Sequence, residues 1–197
     1  MNSEQIIKKF LSGYHLRAEK FDKKRFGNGK TPDYEVFKND NLFCYCEVKN
    51  AKKDIWLDQK LKKSSPGEMV GGLRNDPVFN RLTSHIHKSR KQFDAVNKNQ
   101  DTPNILAFYN QDQNSGFLDL LAVITGNFFS ENGKTYPIYK SFSEGRIKAD
   151  IEKIHLFIWL DEFKPHRFLF SLESKKFQNE LCKAFKFDPR KLEIVHS

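Results

Sequence analysis

Cysteine is scarce in this chain of 197 residues, which holds only three. Cys44 and Cys46 lie two residues apart, and Cys182 alone provides no second pair to complete a zinc site. Three cysteines also cannot build the disulfide framework that is typical of small secreted domains. We therefore expect three reduced thiols in the core of a cytoplasmic protein.

Long apolar runs are missing as well. The longest, near residues 118–124 and 156–160, are far shorter than the ~20 residues that a membrane-spanning helix requires. The N-terminal segment is interrupted by Lys8 and Lys9 and does not resemble a signal peptide. A glycine-rich phosphate loop of the Walker type is also lacking, which disfavours nucleotide hydrolysis by this chain alone. We therefore expect no membrane partner.

Positive charge, in contrast, is in excess. The chain has 34 Lys and Arg residues against 25 Asp and Glu residues, which gives a formal net charge of +9. This balance favours polyanionic partners, chiefly nucleic acid, although a lysine-rich solvated surface would give the same composition. Apolar residues make up 38% of the chain and include 19 phenylalanines, enough for a core. The length fits a single domain over residues 1–197.

Apolar periodicity and turn residues predict an α/β protein whose first half runs helix, three strands, helix, strand. Helices are predicted at residues 3–11 with Ser3 as N-cap, at 76–96 beginning at Asp76-Pro77, and at 175–185. Strands are predicted at 16–21, 33–37, 42–49, 105–109, 118–125, 155–160 and 167–172. Turns are expected at 27–30 and 39–41, and a long basic loop with a short helix near 55–61 is expected at 50–75.

Glu47 and Lys49 are the first candidates for a functional site. Acidic-x-Lys triplets occur five times in this sequence, so the triplet alone means little. Glu47-Val48-Lys49, however, ends the most strand-like segment of the chain. Because side chains alternate along a strand, Glu47 and Lys49 point to the same side. Two charged residues on a buried strand are energetically unfavourable unless they have partners or a function.

Asp33 adds a second acidic group. It belongs to the only Pro-Asp dipeptide of the chain and begins the preceding predicted strand. If the turn at 39–41 joins the two strands as an antiparallel hairpin, Asp33 can lie beside Glu47. Two adjacent carboxylates repel each other, and a divalent cation such as Mg²⁺ relieves that repulsion. The alternative is a salt bridge of Lys49 with either acid and no metal.

Thr31-Pro32-Asp33-Tyr34 and Cys46-Glu47-Val48-Lys49 together resemble the signature of the PD-(D/E)XK nuclease superfamily. The resemblance covers about the first half of the chain, to Val96. It implies a restriction-endonuclease-like core in which a central mixed β-sheet of α-β-β-β-α-β order is flanked by helices, here with additional C-terminal strands and a helix. It also implies a metal-dependent endonuclease, with Asp33 and Glu47 as ligands of Mg²⁺ or Mn²⁺ and Lys49 as the catalytic lysine.

The same resemblance suggests two further site residues. Members often carry an acidic residue on the first helix, and Glu4 fits best because it is in register with the inward side of that helix; Glu19 and Glu35 are rivals. Many members place a glutamine on the helix after the motif, and Gln92 matches it. Some carry a second glutamine one turn earlier, where this chain has Lys88, and this departure leaves the subfamily open.

Several basic residues are candidates for contacts with nucleic-acid phosphates. They are Lys52, Lys53, Lys60, Lys62, Lys63, Arg74 and Lys88. His85 and His87 lie two residues apart on a predicted helix and do not face each other, so a shared metal is not expected. The leading expectation is an endonuclease acting on DNA, and a homodimer would suit the cutting of two strands. The alternatives are a catalytically inactive nucleic-acid-binding module of the same fold and a subunit that binds an acidic protein.

Overall fold

The chain forms a six-stranded mixed β-sheet flanked by helices on both faces. The computed structural model describes residues 1–22, 24, 30–51, 56–70, 77–112, 115–130, 132–138, 147–162, 165–171 and 175–188. Its helices are α1 Ser3–Ser12, α2 Trp56–Leu61, α3 Pro77–Val96, α4 Phe117–Thr125, α5 Lys148–Ile151 and α6 Gln178–Ala184. The predicted α/β class and the order α-β-β-β-α-β in the first half are confirmed, with the short α2 between β3 and α3.

The sheet changes from antiparallel to parallel pairing at β3. Its strands are β1 Arg17–Lys20, β2 Tyr34–Lys38, β3 Asn41–Ala51, β4 Asn104–Asn110, β7 Leu156–Asp161 and β8 Arg167–Phe170. Their spatial order is β1-β2-β3-β4-β7-β8, with β3-β4 and β4-β7 parallel and the other neighbours antiparallel. A small second sheet pairs β5 Asn127–Phe129 with β6 Thr135–Pro137. β3 therefore has the β2 hairpin on one side and, through α3, the parallel crossover to β4 on the other.

Each face of the central sheet has its own apolar core. On one face, Cys46 and Val48 of β3 pack with residues of α1 and α6. On the other face, Leu106 and Phe108 of β4 pack with residues of α3, α4 and α5, including Ile86 of α3. Because successive side chains of a strand alternate between faces, Glu47 and Lys49 share the second face and lie under α3.

The β2–β3 turn consists of two residues in the left-handed backbone region. Asn39 has φ of 49° and Asp40 has φ of 63°, a conformation that Asn and Asp tolerate better than most residues. Two such residues in succession match the right-handed twist of a hairpin. The predicted turn and the predicted antiparallel hairpin are both confirmed.

Phe43 is the extra residue of a β-bulge in β3. Val36 pairs with Cys44 whereas Phe37 pairs with Leu42, so Phe43 has no partner in β2. Phe43 and Cys44 are consequently both buried against the same core, although they are consecutive residues. From the bulge to the start of β2 the pairing runs without a further shift.

Residues 118–125 are helical, and their prediction as a strand was wrong. They belong to α4, in which every residue from Leu120 to Thr125 is buried. An apolar run that is buried all round carries no readable period, so a strand and a helix cannot be distinguished by pattern alone. Gly126, which follows α4 with φ of 73°, is the C-terminal glycine signal that distinguishes them.

Smaller differences concern helix starts and short elements. The N-cap of α1 is Asn2 rather than Ser3, and its side chain accepts from the backbone N–H of Gln5 in a reciprocal capping box. The sequence did not predict α5, β5 or β6. The predicted turn at 27–30 and the helix start at Asp76 fall at least partly outside the described residues.

All three cysteines are free and buried, as predicted. Burial raises the pKa of the Cys44 and Cys46 thiols well above the usual range, and so keeps both protonated. Over the described ranges, no helix is long and apolar enough to cross a membrane.

Candidate active site

Asp33 and Glu47 are connected by reciprocal hydrogen bonds. Tyr34 pairs with Cys46 in the hairpin, so Asp33, one residue before β2, lies level with Glu47 of β3. The backbone N–H of Asp33 donates to Oε2 of Glu47 at 3.1 Å, and the backbone N–H of Val48 donates to Oδ2 of Asp33 at 2.9 Å. The sequence predicted this proximity, and each carboxylate is fixed by a backbone amide next to the other acid.

Glu47 is almost fully buried, with 2% of its surface exposed. Burial, reinforced by the negative charge of Asp33, raises its pKa from 4.5 to about 7. Lys49 and Gln92 act in the opposite direction through charge and hydrogen bonding. Near neutral pH, two negative charges on this pair of carboxylates are therefore energetically unfavourable.

Lys49 completes the predicted set. Its ammonium group forms a buried ion pair with Oε1 of Glu47 and donates to Oε1 of Gln92 at 3.1 Å. Only 14% of its side chain is exposed. The position at i+2 on β3 explains this geometry, because Glu47 and Lys49 project from the same face.

Gln92 of α3 joins the helix to the site. Besides accepting from Lys49, it donates from Nε2 to the backbone carbonyl of Thr31 at 2.9 Å. Thr31 lies two residues before Asp33, so one amide side chain contacts both the lysine and the segment that presents the first acid. The structure thus brings together Asp33, Glu47, Lys49 and Gln92, three residues of the β2–β3 hairpin region and one of α3.

Glu4 lies on α1, which packs against the opposite face of the sheet. Its carboxylate forms an ion pair with Lys20, and its backbone carbonyl accepts from the Tyr34 hydroxyl at 3.2 Å. Burial, and after it the charges of Glu4 and Asp33, raises the pKa of Tyr34 to about 12, so both carboxylates lie near this hydroxyl. A role for Glu4 as third metal ligand stays a prediction.

The two rival acids have other neighbours. Glu19 forms an ion pair with Arg17, and Glu35 contributes to the raised pKa of Tyr45 after the larger effect of burial. Among the described residues, no cluster of three or more His, Cys, Asp or Glu side chains has the geometry to hold a metal. The candidate ligand set therefore consists of Asp33 and Glu47.

These two acids fit a hard divalent cation. Each acid accepts a hydrogen bond from a backbone amide with one of its carboxylate oxygens. Oδ1 of Asp33 accepts no hydrogen bond from any described residue. Mg²⁺ prefers oxygen ligands and is often held by only one or two carboxylates with water molecules. Positive charge between the acids would also remove the repulsion that raises the pKa of Glu47.

The predicted phosphate-contacting lysines are solvent-exposed wherever the structure describes them. These are Lys60, Lys62, Lys63 and Lys88. Lys52, Lys53 and Arg74 lie outside the described residues. Exposure permits contacts with a polyanion, and the assignment stays a prediction.

His85 is a neighbour of the site to which the sequence reasoning assigned no role. It lies on α3 seven residues before Gln92, which is two helical turns and therefore the same side. Its ring packs against Phe108, the β4 partner of Lys49, with centroids 6.2 Å apart. The seven-residue spacing between His85 and Gln92 was the signal in the sequence. It places His85 near the site only because of where α3 crosses the sheet.

Comparisons with known proteins add no relative. No family model, no curated protein and no solved structure matches this chain. A function for this chain must therefore be inferred from the geometry of Asp33, Glu47, Lys49 and Gln92.

Proposed function

We propose that this protein is a metal-dependent endonuclease that hydrolyses phosphodiester bonds, with DNA as its substrate. The observation that carries the proposal is the arrangement of Asp33 and Glu47 across the β2–β3 hairpin, with Lys49 held between Glu47 and Gln92. This arrangement supports the PD-(D/E)XK resemblance of the motifs, and a restriction-endonuclease-like fold is proposed on the same basis.

Each residue then has a chemical role. Asp33 would hold Mg²⁺ or Mn²⁺ with Oδ1, and Glu47 would hold the ion with Oε1, the oxygen that also pairs with the Lys49 ammonium group. The ion would supply Lewis-acid stabilisation of the phosphoryl oxygens and a more acidic bound water. Lys49 places a positive charge where negative charge develops in the transition state. Gln92 orients Lys49 by hydrogen bonding.

A structural ion pair is the simplest competing explanation. A Lys–Glu pair that serves stability alone needs one acid and one base. Here a second acid, Asp33, lies against Glu47 and raises its pKa, which is unfavourable in the absence of a cation. The second carboxylate favours a metal site over a structural ion pair.

Nucleic acid is the polyanion that fits the charge of +9 and the exposed lysines. Defence against foreign DNA and repair or recombination are both compatible with such an activity. A homodimer would present two sites, one for each strand of a duplex. The inactive binding module of the same fold is distinguished from the enzyme by cleavage.

The decisive experiment is cleavage of supercoiled plasmid and of circular single-stranded DNA with Mg²⁺, Mn²⁺ or EDTA. Asp33→Asn removes a charge but keeps an oxygen that can accept from Val48. Lys49→Met removes the ammonium group but keeps the apolar stem. We expect metal-dependent cleavage by the wild type and a loss of about a hundredfold or more in each variant.

Lys183→Met and Glu180→Gln are the matched controls. Both residues are exposed on α6, at the face of the sheet opposite the site. These variants should cleave within about twofold of the wild type. Equal cleavage by Asp33→Asn, Lys49→Met and wild-type protein would show that the site is wrongly assigned, and binding without any cleavage would favour the inactive module.

A further inference from the structure

We propose that His85 is a phosphate-contacting residue of this site, donating an N–H from a neutral imidazole to a backbone phosphate of the bound nucleic acid. The inference rests on the proposed function, because it assumes that a nucleic-acid strand enters beside Lys49. It adds to that function a binding residue on α3.

The placement of His85 follows from the sheet register. Lys49 and Phe108 are direct partners of the parallel strands β3 and β4 and lie under α3. The His85 ring packs edge-on against Phe108, with an interplanar angle of 65°. Gln92, two turns further along α3, binds Lys49. Lys49 is thus bordered by Gln92 and His85 on the same side of one helix.

The ring nitrogens of His85 are available to a ligand. No described residue forms a hydrogen bond with either nitrogen. Neither nitrogen is among the buried polar atoms that lack a partner, so both retain contact with solvent. The imidazole therefore packs against Phe108 while its two nitrogens remain open to a ligand.

Two other histidines, His87 and His155, are engaged by groups of the protein. Nδ1 of His87 lies 3.1 Å from the carboxylate of Asp150, which links α3 to α5. Nδ1 of His155 accepts from the backbone N–H of Asn104 at 2.9 Å. In each case a group of the protein is the polar partner of a ring nitrogen, whereas His85 has no such partner among the described residues.

The charges around His85 favour an anion over a metal cation. Burial, and after it the charges of Lys49, Lys88 and Arg81, lowers the pKa of His85 to about 4. Lys49 extends from β3, and the other two lie on α3 itself. A neutral imidazole carries one N–H donor and one acceptor, and donation to an anionic oxygen is the contact that three surrounding cations would reinforce.

Binding of a phosphate should therefore raise the pKa of His85, because its negative charge offsets the three cations. The test is an NMR titration of the His85 ring in EDTA, with and without a short oligothymidylate, whose bases do not protonate in this range. We expect the midpoint to move upward by about one pH unit or more. His155, which also has a pKa near 4 but packs against Phe177 near α6, should not move.

Substitutions provide the second readout. His85→Ala should weaken oligonucleotide binding in EDTA by about tenfold and lower kcat/KM by a similar factor, mainly through KM. His85→Gln, which keeps a neutral N–H donor, should recover most of the affinity. His87→Ala, on the same helix but turned away, is the control and should bind as the wild type does.

The two proposals fail in different ways. If the wild type cleaves DNA while His85→Ala matches His87→Ala and the titration midpoint stays fixed, the role of His85 is overturned and the nuclease stands. If no cleavage occurs but the oligonucleotide raises the His85 midpoint, the phosphate contact stands and the hydrolytic function falls.

Discussion

The backbone amide of Asp33 is bound by the carboxylate of Glu47, and the carboxylate of Asp33 is bound by the amide that follows Glu47. The two acids are therefore positioned by the hairpin backbone and not by flexible side-chain contacts alone. Their closeness adds to the effect of burial in raising the pKa of Glu47, and it brings two oxygen ligands to one place before any cation arrives.

Removing the charge of Asp33 should lower the pKa of Glu47. In Asp33→Asn the repulsion disappears, while the ion pair with Lys49 remains. The midpoint of the Glu47 carboxyl, followed by carbon NMR in EDTA, should fall below about 7. Glu35→Gln, two residues further on β2, is the control and should leave that midpoint in place. An unchanged midpoint in Asp33→Asn would mean that burial alone sets it.

Glu47 should also make the metal-free protein less stable as pH rises. Its folded pKa is about 7 and its ordinary value is 4.5, so the folded state binds more protons between these values. The free energy of unfolding must then fall across this window, by up to about 3 kcal/mol from this group. Urea unfolding in EDTA at pH 5 and pH 7.5 measures the fall.

Glu47→Gln is the comparison for this effect, since its amide does not titrate. The variant should lose less stability than the wild type over the same pH interval. Mn²⁺ or Mg²⁺ at pH 7.5 should restore stability to the wild type, because binding to the folded state shifts the unfolding equilibrium. Parallel pH profiles for the two proteins in EDTA would contradict the assignment.

Gln92 should affect turnover more than substrate binding. Gln92→Leu has a similar volume but cannot form the hydrogen bonds to Lys49 and Thr31. We expect kcat to fall about 10- to 100-fold with little change in KM, and stability to fall by about 1–2 kcal/mol. Gln178→Leu, at the start of α6, is the matched control. A change confined to KM would indicate that Gln92 contacts substrate.

The hairpin and its acids could be predicted from sequence because their signals are local. Asn39 and Asp40 indicate a tight turn, alternation marks the strands, and Asp33 belongs to the only Pro-Asp dipeptide. Pairing across the two-residue turn brings Asp33 to within one residue of Glu47, and the bulge at Phe43, which the sequence did not predict, completes the alignment.

What the sequence did not reveal depends on distant contacts. α4 was missed because burial on all sides removes the period that separates helix from strand. His85 was assigned no role because its importance arises only when α3 crosses beside Lys49 and Phe108. The place where a helix crosses a sheet is determined by packing between residues that are distant in sequence. No single segment of sequence encodes it.

Exposed lysines should determine the salt dependence of DNA binding. Replacing Lys60, Lys62 and Lys63 together by Ala should reduce the slope of log K against log salt by up to about 0.9 for each phosphate that is no longer neutralised. The control replaces Lys175, Lys183 and Lys186, exposed residues in or beside α6, with the same change of net charge. Equal slopes for the two triple variants would indicate that only net charge matters.

The unpaired Phe43 determines which residue of β3 lies level with Asp33 at the far end of the hairpin. On the turn side of Phe43 the pairing would bring Asp33 level with Cys46, whose side chain points to the α1 face. One added residue moves that alignment to Glu47 and therefore to the α3 face. If Phe43 were instead paired as an ordinary residue of β3, the two acids would point to opposite sides of the sheet, with no common place for a cation.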